Sequence, residues 1–204
     1  MPGWNGWYHC MSNTYGTWLP GDPRGFRTRK HREHVEGDYK NPPPKGEYDT
    51  RHEHAKQSLK RDAVVLPLEA RQACVDALVH AWVDVHDVEV LAVSVSAMHM
   101  HVLARFGGVT PGPMGGVDAA LKPTPSRGGP REKDPTRYFM AIAKERSAKS
   151  LAKSNLVAPG GVWAKRGKIV PIRDRQHQLN AYRYILDHAS ESAAVWCFKY
   201  RNST

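Results

Sequence analysis

The sequence predicts an α+β domain in which one antiparallel sheet carries two helices on a single face. Three observations predict it. Stretches with the two-residue rhythm of strands alternate with stretches of helical rhythm, in the order β, α, β, β, α, β, α. The first six of these elements make a split β-α-β arrangement, which closes most simply as an antiparallel sheet under two helices. The stretch Met98 to Phe106 then sorts into two chemical faces. Met98, Met100, Val102, Ala104 and Phe106 fall on one side, and His99, His101, Leu103 and Arg105 on the other.

In chain order, Trp7 to Thr14 is aromatic and apolar enough for a first strand, and turn residues from Thr17 to Gly25 follow it. Residues 24–62 carry eleven basic and seven acidic side chains around Pro42-Pro43-Pro44, which reads as an extended excursion with few core residues. Leu66 to Val85 repeats Cys74, Leu78, Ala81, Trp82 and Val85 at spacings of three and four, the mark of an amphipathic helix. Val88 to Val95 is β-branched and apolar, a buried strand, and Ser96-Ala97 turns it into the histidine strand. A helix over 98–106 would scatter the two histidines by about 200°.

Residues 107–135 hold seven glycines and six prolines and read as a long loop. Arg137 to Lys153 reads as a second helix, with Phe139, Ile142 and Ala143 inward. Val162 to Ile172 suits a strand. Asp174 can cap a last helix that runs to about His188. At 204 residues the chain fits a single domain over 1–204 with long insertions at about 20–62 and 107–135.

The chain has 30 Lys and Arg against 20 Asp and Glu, a formal charge of +10 that favours a polyanionic partner. Cys10, Cys74 and Cys197 are odd in number and lack a Cys-x-x-Cys pair, which argues against a disulfide framework and a structural zinc site. No basic-then-apolar leader opens the sequence, and no apolar run approaches the ~18 residues of a membrane span. The expectation is a cytoplasmic protein without a membrane partner.

His99 and His101 share a strand face and lie close enough for both imidazoles to reach one cation. His52-Glu53-His54 has the same spacing, but it lies in a charged stretch without strand character and is assigned to solvent. On the last helix, with Leu179 at zero, Tyr182 and Leu186 fall at about 300° and 340°, whereas Tyr184 and His188 fall at about 140° and 180°. Tyr182 therefore joins the core stripe, and Tyr184 leaves it together with His188. Three imidazoles and one phenol can meet at a single site. A phenol of pKa near 10 is a poor nucleophile, and a metal beside a phosphodiester would supply what it lacks. Residues 137–168 hold eight basic side chains and one acidic. Arg105, Lys144, Lys149, Lys153, Lys165, Arg166 and Lys168 are accordingly the candidate contacts to a DNA backbone. Trp196, Phe198 and Tyr200 alternate as strand residues or as stacking platforms for unpaired bases.

On Met98-His99-Met100-His101-Val102, Tyr184-Ile185 and Val162-Trp163-Ala164-Lys165-Arg166, the chain resembles the single-tyrosine HUH transposases of bacterial insertion sequences and their REP-associated relatives. The resemblance covers the order of elements from about residue 7 to 190. It implies a ferredoxin/RRM-like fold with a C-terminal helix carrying the catalytic tyrosine. It also implies cleavage and rejoining of single-stranded DNA near hairpins through a 5′-phosphotyrosine, with Mg²⁺ or Mn²⁺. Carried over, His99 and His101 are metal ligands, Tyr184 is the nucleophile and His188 the third ligand. That last position is more often Gln or Asn in the family, and three imidazoles shift the preference from Mg²⁺ toward Mn²⁺ or another transition metal. Monomer and homodimer both stay open, and the insertions can serve hairpin recognition or block helix exchange between subunits. The rival readings are a host-adopted HUH nickase, a non-catalytic nucleic-acid-binding protein of the same fold, and a metal-dependent hydrolase.

Overall fold

A computed structural model of the chain describes residues 3–27, 34–35, 44–106 and 134–198. Five strands form one sheet: β1 (Trp7–Asn13), β4 (Glu89–Val95), β5 (His99–Arg105), β6 (Lys168–Pro171) and β7 (Ala194–Cys197). Their order is β6-β1-β5-β4-β7, and every neighbouring pair is antiparallel. Strands β2 (Phe26–Arg27) and β3 (His34–Val35) make a separate two-stranded ribbon. The helices are α1 (Asp49–Gln57), α2 (Leu68–Val79), α3 (Pro135–Lys153) and α4 (Arg175–Asp187). The molecule is α+β, and its sheet order is compatible with a ferredoxin-like arrangement. No described helix is long and apolar enough to cross a membrane.

The main core lies between one sheet face and α2 and α3. Cys10, Val93, Val95, Met100, Val102, Ala104 and Phe106 come from the strands and pack against Leu78, Trp82, Phe139 and Leu151. Helix α2 buries Ala70, Cys74, Val75 and Leu78 on one stripe, and a π-helical turn over His80–Asp84 extends that stripe to Ala81 and Trp82. The Trp82 indole donates to the Phe139 carbonyl at 3.2 Å, so the largest buried ring leaves no polar atom unpaired. Burying a side chain of Phe139's size is worth roughly 2–3 kcal/mol.

The opposite face carries a smaller cluster. Trp7, Ala92, Leu103 and Ile172 pack there with Ala181, Ile185 and Cys197. Helix α4 thus covers part of the face that carries the histidines, and Met100 packs beneath α2 and α3, as the alternation requires.

Several expectations need adjustment. Helix α3 begins at Pro135 because the Asp134 carboxylate accepts from the Thr136 amide and proline suits the first helical position. The strand expected over 162–172 forms only at Lys168–Pro171. Val162 and Trp163 are both buried, which a regular strand does not allow for neighbours facing one core, and the Trp163 indole turns under α3 to donate to Ser147 Oγ at 2.9 Å. The excursion contains α1, which sequence periodicity does not reveal because that helix buries no residue and has no apolar stripe. A seventh strand is added at the sheet edge, where Trp196 pairs with Val93 and packs on the main core. Of the loop expected over 107–135, residues 107–133 lie outside the described residues, as does Tyr200.

Candidate metal centre and tyrosine

Strand β5 is central in the sheet, and its alternation turns His99 and His101 toward the α4 side. Asp174 caps α4 by accepting from the His177 amide at 2.7 Å, as the sequence predicts. Gln178, Ala181 and Ile185 form the buried stripe of α4. That stripe fixes the helix roll, and Tyr184 and His188 come off its flank together.

His99, His101 and His188 converge, with one ring nitrogen of each within 4.8 Å of the others. Each presents a second nitrogen to the protein. His188 Nδ1 lies 2.8 Å from the Tyr184 carbonyl, and because a carbonyl only accepts, Nδ1 donates there and Nε2 is the nitrogen left to face the other rings. His101 Nδ1 lies 3.0 Å from His9 Nε2, and His99 Nδ1 lies 3.0 Å from Ser96 Oγ. With all three Nδ1 atoms engaged, the three Nε2 atoms are the ligand set, oriented as second contacts orient metal-binding imidazoles. Ser94, paired directly across from His101, has a buried hydroxyl with no partner among the described residues, a further polar group on this face.

The electrostatics suit ligation. Burial first, then the neighbouring His9, His99 and His188, push the His101 imidazole down to about 2. Burial, then His177, His188 and Lys168, push His9 down to about 4. His99 is lowered as well, by burial ahead of His188. These rings are neutral at physiological pH, the form that binds metal. Three imidazoles favour a transition-metal ion, and the geometry leaves its identity open.

Tyr184 stands over the triad. Its ring centroid is 4.7 Å from that of His188, 5.3 Å from His101 and 6.0 Å from His9. The residue is 51% exposed, so its ring is open to solvent. Burial, and then Glu191, raise its phenol pKa above the ordinary value. The protein alone therefore keeps this oxygen protonated.

The candidate DNA contacts divide. Lys168 is exposed on the strand beside β1, and its charge reaches His9. Lys165 and Arg166 are exposed just before it. Lys144, Lys149 and Lys153 lie on α3, across the sheet from the triad. Lys144 is half-buried, donates to the Ala164 carbonyl at 2.5 Å and is pushed down to about 8 by burial. Lys149 pairs with Glu145 at 2.8 Å. Arg105 sits at the end of β5 remote from His99 and pairs with Glu89.

Two residues at this site carry no local sequence signal. His9 is buried and bonded to His101, yet it comes from a strand whose register against β5 no local pattern encodes. Arg24, whose charge reaches His99, belongs to the excursion whose composition reads as solvated. Comparison with known protein families, with curated proteins and with solved structures finds no match for this chain.

Proposed function

We propose that this protein is a metal-dependent tyrosine endonuclease and strand transferase of the single-tyrosine HUH type, acting on single-stranded DNA. The observation that carries the reading is the exposed Tyr184 ring beside three convergent imidazoles. A hydrolase needs the imidazoles and a water, and gains nothing from a phenol at that place. The net charge of +10 supports a polyanionic substrate. Arg24 on the His99 side and Lys168 on the His9 side support a strand lying across the site between them.

A divalent cation held by His99, His101 and His188 would polarise the scissile phosphate and favour the phenolate. The chain's own residues do the rest. Tyr184 Oη attacks phosphorus and loses its proton to solvent. The bond from phosphorus to the 3′-oxygen breaks, and that oxygen takes up a proton to leave as a 3′-hydroxyl. The product is a 5′-phosphotyrosine, which preserves the phosphodiester energy for rejoining. Helix α4 sets the angle of attack, because its buried stripe fixes the direction of Tyr184. The Nδ1–H bond from His188 to the Tyr184 carbonyl ties the third ligand to the nucleophile's own backbone.

The test is a denaturing gel after incubation with hairpin-bearing single strands and Mn²⁺. The wild type is expected to give a protein–DNA adduct, and Tyr184→Phe to give none while still binding DNA. Cleavage without an adduct would replace this reading with a hydrolase. An adduct that persists in Tyr184→Phe would remove Tyr184 as nucleophile.

A further inference from the structure

The loop Gly16–Arg24, helix α1 and residues 59–63 enclose a cavity of about 560 Å³ that the metal centre does not use. Its size is that of a small-ligand site. The walls fit closely. At Gly16 (φ +76°) a Cβ would fall 2.9 Å from Ala63 Cα, and at Gly21 (φ +85°) 2.6 Å from the His52 amide nitrogen.

The cavity is basic. Arg24, Lys56, Lys60 and Arg61 face it, against the carboxylates of Asp22 and Asp62. Asp22 is already committed to Arg24, which it holds at 2.6 Å. Lys56 pairs with the exposed Glu53 at 2.7 Å, and Lys60 has no ion-pair partner among the described residues. Next to the lining residue Arg24, Trp18 is 45% exposed, with the guanidinium 4.7 Å from its ring centre. An exposed indole backed by a cation is a platform for a nucleobase.

The cavity also adjoins the triad. Thr17 in its wall bonds through Oγ1 to the Met98 carbonyl at 3.3 Å, one residue before His99. Arg24 donates to the Thr17 carbonyl at 2.5 Å, and its charge reaches His99.

We infer that this cavity is a nucleotide subsite for the single strand, holding one nucleotide close to the scissile phosphate, with its phosphate on Lys60 and Lys56 and its base on Trp18. The inference rests on the single-stranded DNA reading of the neighbouring site. The loop Gly16–Arg24, helix α1 and residues 59–63 then serve to hold the strand on one side of the cut.

The test measures binding of a fluorescein-labelled oligothymidylate of about a dozen nucleotides by anisotropy, across a salt series, to the full chain. The double variant Lys56→Glu/Lys60→Glu is expected to bind at least ~10-fold more weakly, with its log–log salt slope reduced by about 0.7, the loss of one phosphate contact on a single strand. Trp18→Ala is expected to bind about 5-fold more weakly or worse, with little change in slope. Arg146→Glu, exposed on α3 across the sheet, serves as the charge control and is expected to keep most of the affinity. All of these are exposed surface positions, so circular dichroism should find the variants folded. Photo-crosslinking of an oligonucleotide carrying 5-iodouracil should label the peptide containing Trp18. If the cavity variants bind like wild type, or Arg146→Glu loses as much as they do, the subsite is refuted and the tyrosine chemistry stands. If the cavity variants lose binding but wild type forms no adduct, the subsite stands and the nuclease reading falls. A wild type that binds no single-stranded DNA refutes both.

Discussion

Acid should unfold this protein in a way set by its buried imidazoles. His9 and His101 are each less than one-tenth exposed, and their pKa values fall from 6.5 to about 4 and about 2. In the unfolded chain both bind a proton below about pH 6.5; in the folded chain neither does until far lower. The unfolded state therefore binds more protons, and stability falls as pH falls. Each histidine contributes a slope that approaches about 1.4 kcal/mol per pH unit below its unfolded pKa, so between pH 6.5 and pH 5 the pair costs about 3 kcal/mol. The His9 part levels off near pH 4, and the His101 part continues toward pH 2. Against a typical stability of about 5–15 kcal/mol, this is a large fraction. Urea denaturation followed by circular dichroism in chelator, at steps from pH 7 to pH 5, measures it. His9→Gln should flatten the slope by close to one proton. Equal stability at pH 6.5 and pH 5, or a His9→Gln slope equal to wild type, would refute the reasoning.

Other perturbations have definite outcomes. Saturating Mn²⁺ or Zn²⁺ at about 100 times its dissociation constant should stabilise the wild type by about 2.7 kcal/mol, and thermal melts of His99→Ala, His101→Ala or His188→Ala should lose that increment. Phe139→Ala should destabilise by about 3–5 kcal/mol in urea titration, because the ring is buried in the main core and stacks on Phe106. Asp174→Ala should cost about 1 kcal/mol through the lost α4 cap, and should slow adduct formation more than it weakens DNA binding.

What the sequence makes legible follows the reach of its patterns. Alternation over 98–106 assigns both histidines to one face and Met100 to the other, because a two-residue period needs no knowledge of the partner strand. Helical angles separate Tyr184 and His188 from Tyr182 and Leu186 for the same reason. His9 is different. Its place beside His101 depends on the register that sets Met11 opposite His101 and His9 opposite Leu103, a non-local fact. Helix α1 is invisible to an apolar-stripe criterion because it buries nothing. Strand β7 is short, and its alternation of aromatic residues fits stacking as well as it fits an edge strand. On α3 a count of charges does not reveal pairing. Lys144 and Lys149 contribute to a basic count, but one is held on a carbonyl and the other on a glutamate.

The two halves of the site differ in how firmly they are held. His99 and His101 sit on a central strand paired on both sides, with Met100 sealed beneath them. His188 and Tyr184 come from the end of α4, where the chain passes into a 3₁₀ turn and then a left-handed Ser192 at φ 60°. Helix ends fray at far lower cost than central strands open. The same bond from His188 Nδ1 to the Tyr184 carbonyl closes that last turn, so loss of the turn removes the third ligand and misdirects the phenol together. On the proposed reading, a cation bridging His188 to the strand pair would fix the helix end and hold Tyr184 in place together. The phenol pKa that the protein raises would then keep Tyr184 quiet until that ion is bound.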